Sequence, residues 1–183
     1  MKIGILPIVM AAAVLSGAAF AQTQQPYAGL QTRAIKALSE QQIDDLKSGR
    51  GMGLALAAEL NGYPGPMHVL ELADGLKLSP AQREKMRDLL SAMKEEAIFL
   101  GTKLIAEEAD LDRQFASKTV TPASLAIAMQ TIGATQASLR AAHLKYHLST
   151  LDVLEPSQVQ SYIHLRGNSG DQQQRHDHGG RRH

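Results

Sequence analysis

Cysteine and tryptophan are absent from this chain, and aromatic residues make up only 4% of it. Without cysteine there is no disulfide, no thiolate ligand and no thiol nucleophile. Soft-metal chemistry is left to histidine, methionine and carboxylates. An excess of charge of either sign is also missing. The formal net charge is +1, and the single charge in the first 21 residues is Lys2, so the remainder is formally neutral. That balance gives no electrostatic case for nucleic acid as a partner or for an acidic membrane surface. No strand-like alternation is long enough to require a sheet, no glycine-rich phosphate loop follows a strand, and no G-x-S-x-G elbow is present.

The one long apolar run stands at the start. Met1-Lys2 is a short positive segment, Ile3 to Phe20 is rich in Ala, Val, Leu and Ile, and Ala19-Phe20-Ala21 places small residues where a signal peptidase reads. This pattern is a cleaved secretory signal over residues 1–21, and it implies a periplasmic location. A membrane anchor is the weaker alternative, because polar sequence follows and no flanking charge cluster stops transfer. No cysteine follows the cleavage site, so a lipid anchor is excluded. Residues 22–37 read as a loose polar arm.

Beyond the arm the pattern is helical. LSEQQIDDL (38–46) opens with Ser39 as cap and Gln42 reaching back. GRGMG (49–53) breaks it, LALAAELN (54–61) is a second short piece, and NGYPGP (61–66) is a turn. Met67 to Leu76 follows, opened by Pro66, with Gly75 as a left-handed stop. The strongest start is LSPAQ (78–82), with Ser79 as N-cap, Pro80 at the first helical position and Gln82 closing the capping box. From there Met86, Leu90, Met93, Ala97, Leu100, Leu104, Leu111 and Phe115 keep alternating spacings of three and four, a bundle seam on one long helix. Thr121-Pro122 restarts a second long helix. Its seam is Leu125, Met129, Ile132, Gln136, Leu139, His143 and Tyr146, and a second apolar line runs Ala137, Ala141, Leu144, Leu148, Leu151. LEPSQ (154–158) begins a last helix through Ile163, and residues 168–183 read as a disordered, histidine-bearing tail. The expected fold is all-α: a long antiparallel hairpin with shorter flanking helices over residues 38–167. One hairpin buries little apolar surface, so a homodimer is expected.

LSEQQ, LSPAQ and LEPSQ share the form L-S/E-x-x-Q. Each is a helix start: a leucine as staple outside the helix, a capping residue, a reaching glutamine. Leu78, Ser79 and Gln82 form the better copy. Leu154, Glu155 and Gln158 form a copy whose capping hydroxyl is lost. Paired copies flanking a helical hairpin behind a signal peptide resemble the L-T-x-x-Q motifs of the Spy/CpxP/ZraP group of periplasmic stress proteins, and the related heavy-metal sensors of the CnrX type. The resemblance spans residues 38–167. It implies a cradle-shaped helical dimer without enzyme activity that acts as an ATP-independent chaperone, or as a metal sensor or buffer. The partners it implies are unfolded clients and an inner-membrane sensor or anti-sigma factor.

Of the seven histidines, His143 and His147 stand one helical turn apart, where two imidazoles share a face and can hold one ion. Imidazole suits Zn, Cu and Ni, but two ligands bind weakly, since structural zinc takes four and an open site three. His68, with Glu71 three residues on, is the candidate to complete the site, because the short helix carrying it precedes the first long helix and comes back to the end of the second. His68 and the His143/His147 pair look like the ligand positions of the CnrX-type sensors. The opposing reading makes His143 a packed seam residue and leaves His147 on the solvated side. His176, His178 and His183 in the tail can capture metal loosely. H-x-x-x-H is also the skeleton of H-E-x-x-H metalloproteases, but Leu144 stands where the general base is required. The carboxylates Glu95, Glu96, Glu107, Glu108, Asp110 and Asp112 alternate with Lys94, Lys103 and Arg113, a solvated face. No group of nucleophile, base and orienter is found, so no enzyme is expected and no cofactor is required.

Overall fold

The computed structural model describes residues 27–177 of the chain, with side chains through residue 167. The expected signal segment, residues 1–21, lies outside the described residues. Among the described residues the regular structure is helical throughout: a 3₁₀ turn at Leu30–Thr32, then α1 (Glu40–Lys47), α2 (Leu56–Glu59), α3 (Pro66–Glu71), α4 (Pro80–Ala116), α5 (Pro122–Leu151) and α6 (Pro156–Asp177).

The helix starts obey local chemistry. Ser39 accepts from the Gln42 backbone N–H while the Gln42 side chain accepts from the Ser39 N–H, and Ser79 with Gln82 repeats the arrangement. Thr121 and Ser124 form a third reciprocal cap at the start of α5. Each pairing satisfies donors that a helix N-terminus otherwise leaves unpaired. The stops differ from expectation at one point. Helix α3 ends at Glu71, and the left-handed residue of the following turn is Lys77 (φ 52°), not Gly75. Successive turns through Leu76 and Leu78, closed by bonds to the carbonyls of Leu72 and Ala73, carry the chain one step further than a glycine cap at 75 would.

Helices α4 and α5 form the antiparallel hairpin. Thr135 bonds Glu107 and Tyr146 bonds Glu96 across it, which sets the register. On α4 the buried positions are Met86, Met93, Ala97, Gly101 and Leu104, while Phe115 is exposed. Gly101 is absent from the expected seam because its role is clearance. A Cβ there would stand 2.5 Å from the Leu46 carbonyl oxygen, so α1 crosses α4 backbone against backbone. On α5 the buried set is Ile132, Thr135, Leu139, Ala142, His143, His147 and Thr150. Gln136 and Met129 face out, and so does Leu148 of the second apolar line. The buried face turns toward His147 and Thr150 because the segment between α1 and α3 packs over that end of α5.

Two clusters make the core. Ile35, Leu38, Leu46, Ala97, Leu104, Ile132 and Leu139 hold α1 on the middle of the hairpin. Ile35 therefore ends the expected loose arm inside the core, and Lys36 bonds Asp112 beside it. Val69, Ala73, Leu76, Leu78, Met86, Leu154 and Tyr162 join α3, the start of α4 and α6 at the hairpin's open end. Helix α6 continues past Ile163 to Asp177.

Candidate functional site

The two glutamines of LSPAQ and LEPSQ meet. The Gln82 amide donates to Gln158 Oε1 at 2.8 Å and the Gln158 amide donates to Gln82 Oε1 at 3.1 Å. Each also donates to a main-chain carbonyl of the other's neighbourhood, Gln82 to Val153 and Gln158 to Leu76. Each oxygen accepts as well from its own helix start, Ser79 N–H or Glu155 N–H. Leu78 and Leu154 are buried directly beneath. The repeated sequence is thus one clasp, in which two helix starts satisfy each other's polar groups. Glu155 needs no hydroxyl for this, since Gln158 supplies the bond to the backbone.

Next to the clasp lies a polar centre that draws one group from each of four helices. Its hub is Glu59, at the end of α2. Oε1 accepts from His68 Nδ1 at 2.7 Å, and Oε2 accepts from the Tyr162 hydroxyl at 2.7 Å. His147 Nδ1 stands 3.9 Å from Glu59 Oε1 and donates to the Tyr63 carbonyl at 2.8 Å. Burial alone would push the Glu59 carboxyl up. The donors His68 and Tyr162, with the charges of His68 and His147, outweigh it and hold the carboxyl below its ordinary range. Burial, and then the bond to Glu59, raise the Tyr162 phenol, which stays a hydroxyl donor. A main-chain carbonyl only accepts, so His147 donates to it through Nδ1–H. His68 donates through Nδ1–H to the Glu59 carboxylate in the same way. An imidazole fixed through Nδ1–H with Nε2 left to ligate is the arrangement that prepares a histidine for metal. Gly65 gives the centre its space. A Cβ there would come within 2.8 Å of His147 Cε1 and 3.0 Å of Glu59 Oε1.

His143 and His147 are both buried, at 3% and 5% exposure, so His147 is not on the solvated side. Packing of the Tyr63–Gly65 turn over α5 accounts for the difference. His143 Nε2 is buried without a hydrogen-bond partner. Burial, and secondarily the neighbouring His147, lower its pKa and keep the ring neutral. The nearest approach to its ring from the glycine loop is at Gly51, whose added Cβ would lie 3.7 Å from Nδ1. His68 is brought to Glu59 and, through it, to His147. Glu71 is exposed, and the carboxylate that His68 bonds is Glu59 instead. His176 falls in α6 beyond the described side chains, and His178 and His183 lie outside the described residues. Glu59 and Tyr162 escape sequence reasoning. The available signal for Glu59 was a lone carboxylate inside the apolar LALAAELN.

The donor set of nitrogen and carboxylate oxygen, with one imidazole nitrogen orphaned in the interior, fits Zn, Cu or Ni in kind. As they stand, no three His, Asp or Glu side chains among the described residues are arranged around a common ion position, so ligation requires side chains to turn. No helix among the described residues is long and apolar enough to cross a membrane. Comparison with models of known protein families, with curated proteins and with solved structures finds no match for the chain.

Proposed function

We propose that this chain is a periplasmic envelope-stress protein of the Spy/CpxP kind, a non-enzymatic homodimer that holds unfolded clients without ATP. The observation that carries the reading is the number of large apolar side chains left without cover on the hairpin. Phe99 is 69% exposed and Ile127 66%, and Leu148 and Phe115 are exposed on the same two helices. Surfaces of this kind serve loose capture of other chains, and the exposed Met52, Met67 and Met129 add adaptable contacts. The test is suppression of aggregation of an unrelated unfolding protein at equal molar ratio, without nucleotide. No suppression, with or without added metal, refutes the reading.

The polar centre favours a second activity that can coexist with the first. A divalent ion held by His68, His147, Glu59 and His143 would let the protein act as a metal sensor or buffer, or as a chaperone tuned by metal. In the sensing role it docks on an inner-membrane sensor or an anti-sigma factor. Calorimetric titration of the tag-free mature protein with Zn, Cu and Ni decides this. His143→Ala/His147→Ala is expected to abolish tight binding, and undiminished affinity in that variant sinks the assignment.

A further inference from the structure

The segment between α1 and α3 is pinned from beneath and bare above. Glu59 is bonded by His68 and Tyr162, the Tyr63 carbonyl accepts from His147, and Ala58, Pro64, Gly65 and Pro66 are buried. Its outward side chains are mostly apolar. Leu60 is 80% exposed, the highest value for a large apolar side chain among the described residues. Leu56, one helical turn before it, is 54% exposed. Tyr63 is exposed too, and the exposed Ile163 of α6 lies against Gly62, where an added Cβ would stand 3.0 Å from its Cδ1. Met52 and Met67 are exposed at the two ends of the segment, and Met52 holds φ 44°, a backbone that glycine adopts more easily. These six make up nearly half of the thirteen large apolar side chains exposed among the described residues, so the exposure is concentrated rather than scattered. From Gly51 to Met67 the only charged residue is Glu59, and both its oxygens are engaged inward.

We propose that this surface docks on a lipid bilayer, inserting Leu56, Leu60 and Ile163 below the headgroups while the chain lies on the membrane without crossing it. Size and polarity select this occupant. A stable dimer interface takes roughly 20–30 residues from each copy, and this patch offers six large side chains. A protein partner of ordinary size brings about 10 hydrogen bonds. The segment has little to answer them: the Asn61 amide already donates to the Ala57 carbonyl at 2.8 Å, which leaves chiefly the Tyr63 hydroxyl. Acyl chains ask for neither area nor hydrogen bonds, and tyrosine suits the boundary between headgroup and acyl chain. Arg50, just before the segment, is paired with Asp45, so the attraction is apolar and scales with the apolar area inserted. The inference is independent of the chaperone and metal readings.

The absence of tryptophan makes a site-specific test simple. Leu60→Trp and, as a control on the hairpin, Phe99→Trp are made in the full mature chain and mixed with phosphatidylcholine vesicles. Leu60→Trp emission is expected to shift to the blue and to be quenched by lipids brominated on the acyl chain, at low and high salt alike, while Phe99→Trp stays unchanged. Leu56→Ser/Leu60→Ser is expected to lower the vesicle-bound fraction in flotation about tenfold or more. No shift at Leu60→Trp, or equal shift and quenching at both positions, overturns the proposal. Binding confined to anionic vesicles and lost in high salt overturns it as well. A dimer that forms without vesicles and is broken by Leu60→Asp, with no lipid quenching, gives the surface to a second copy. Quenching seen only in native membranes and never in pure lipid gives it to a membrane protein. Either result overturns bilayer docking.

Discussion

Gly65→Ala isolates the geometry of the polar centre. Gly65 has φ −89° and ψ 151°, ordinary extended backbone that alanine adopts freely. On the backbone alone the change should stabilise, by about 0.4–1 kcal/mol, because the unfolded chain has fewer states to lose. The new methyl group would stand 2.8 Å from His147 Cε1 and 3.0 Å from both His147 Nε2 and Glu59 Oε1. The imidazole cannot swing aside without giving up its bond to the Tyr63 carbonyl, worth about 0.5–1.5 kcal/mol. Forcing a methyl into a packed site costs about 1–3 kcal/mol. The steric loss outweighs the entropic gain, and a net destabilisation of about 1–3 kcal/mol is expected. For a chain of this size that lowers the melting temperature by roughly 3–10 °C, read by far-ultraviolet circular dichroism in the presence of a chelator. Gly133→Ala is the control. It lies inside α5 with nothing within 4 Å of the added Cβ, so it should gain up to about 1 kcal/mol from helix propensity. If Gly65→Ala melts at or above wild type, as Gly133→Ala should, the packing of His147 and Glu59 against Gly65 is refuted.

Gly101→Ala brings its methyl 2.5 Å from the Leu46 carbonyl, and should lower stability by about 1–2 kcal/mol net of propensity. Hydrogen exchange should locate the loosening in α1, and unchanged exchange over 40–47 argues against the crossing. Gln82→Ala and Gln158→Ala should each cost about 1–3 kcal/mol, since each leaves buried partners unpaired. A double-mutant cycle should show coupling of about 0.5–3 kcal/mol, and strict additivity would mean the two amides do not meet. Tyr162→Phe removes the donor to Glu59 Oε2 and should cost about 1–3 kcal/mol in denaturant midpoint at constant slope; a neutral result contradicts the bond. Stability should fall on acidification. The folded pKa of His143 lies below its ordinary 6.5, so its contribution is complete above 6.5 and is lost as pH falls through the depressed value. Glu59 is also depressed, from its ordinary 4.5, and adds a second loss further down. His143→Leu should flatten the fall in urea midpoint that sets in below pH 6.5, and an unchanged slope there excludes His143 as the source.

The helix starts were legible in the sequence because a capping box is closed within four residues. Ser39 with Gln42 and Ser79 with Gln82 form the bonds their spacing announces, and Pro80 and Pro122 stand at first helical positions. The hairpin was legible for a similar reason: Met86, Met93, Ala97, Leu104, Ile132 and Leu139 repeat at helical spacing, and a short connection folds the second helix back on the first. The seam residue missing from that reading, Gly101, has no side chain to contribute to a pattern. Its value lies in letting Leu46 come close.

The sequence by itself determined an all-helical chain, the places where its helices begin, and the face on which His143 and His147 share a turn. Those follow from hydrogen bonds and periodicities that act over a few residues. Tertiary structure decided the rest. It joined Gln82 to Gln158 across 76 residues, so that two similar motifs became one clasp. It buried His147 beneath the Tyr63–Gly65 turn, and it chose Glu59 over Glu71 as the carboxylate for His68. It tied that carboxylate to Tyr162, 103 residues away. None of these pairings has a local signature, because each depends on which short helix settles on which face of the hairpin. That choice is made by packing at Val69, Met86 and Gly65, where size and clearance matter more than spacing.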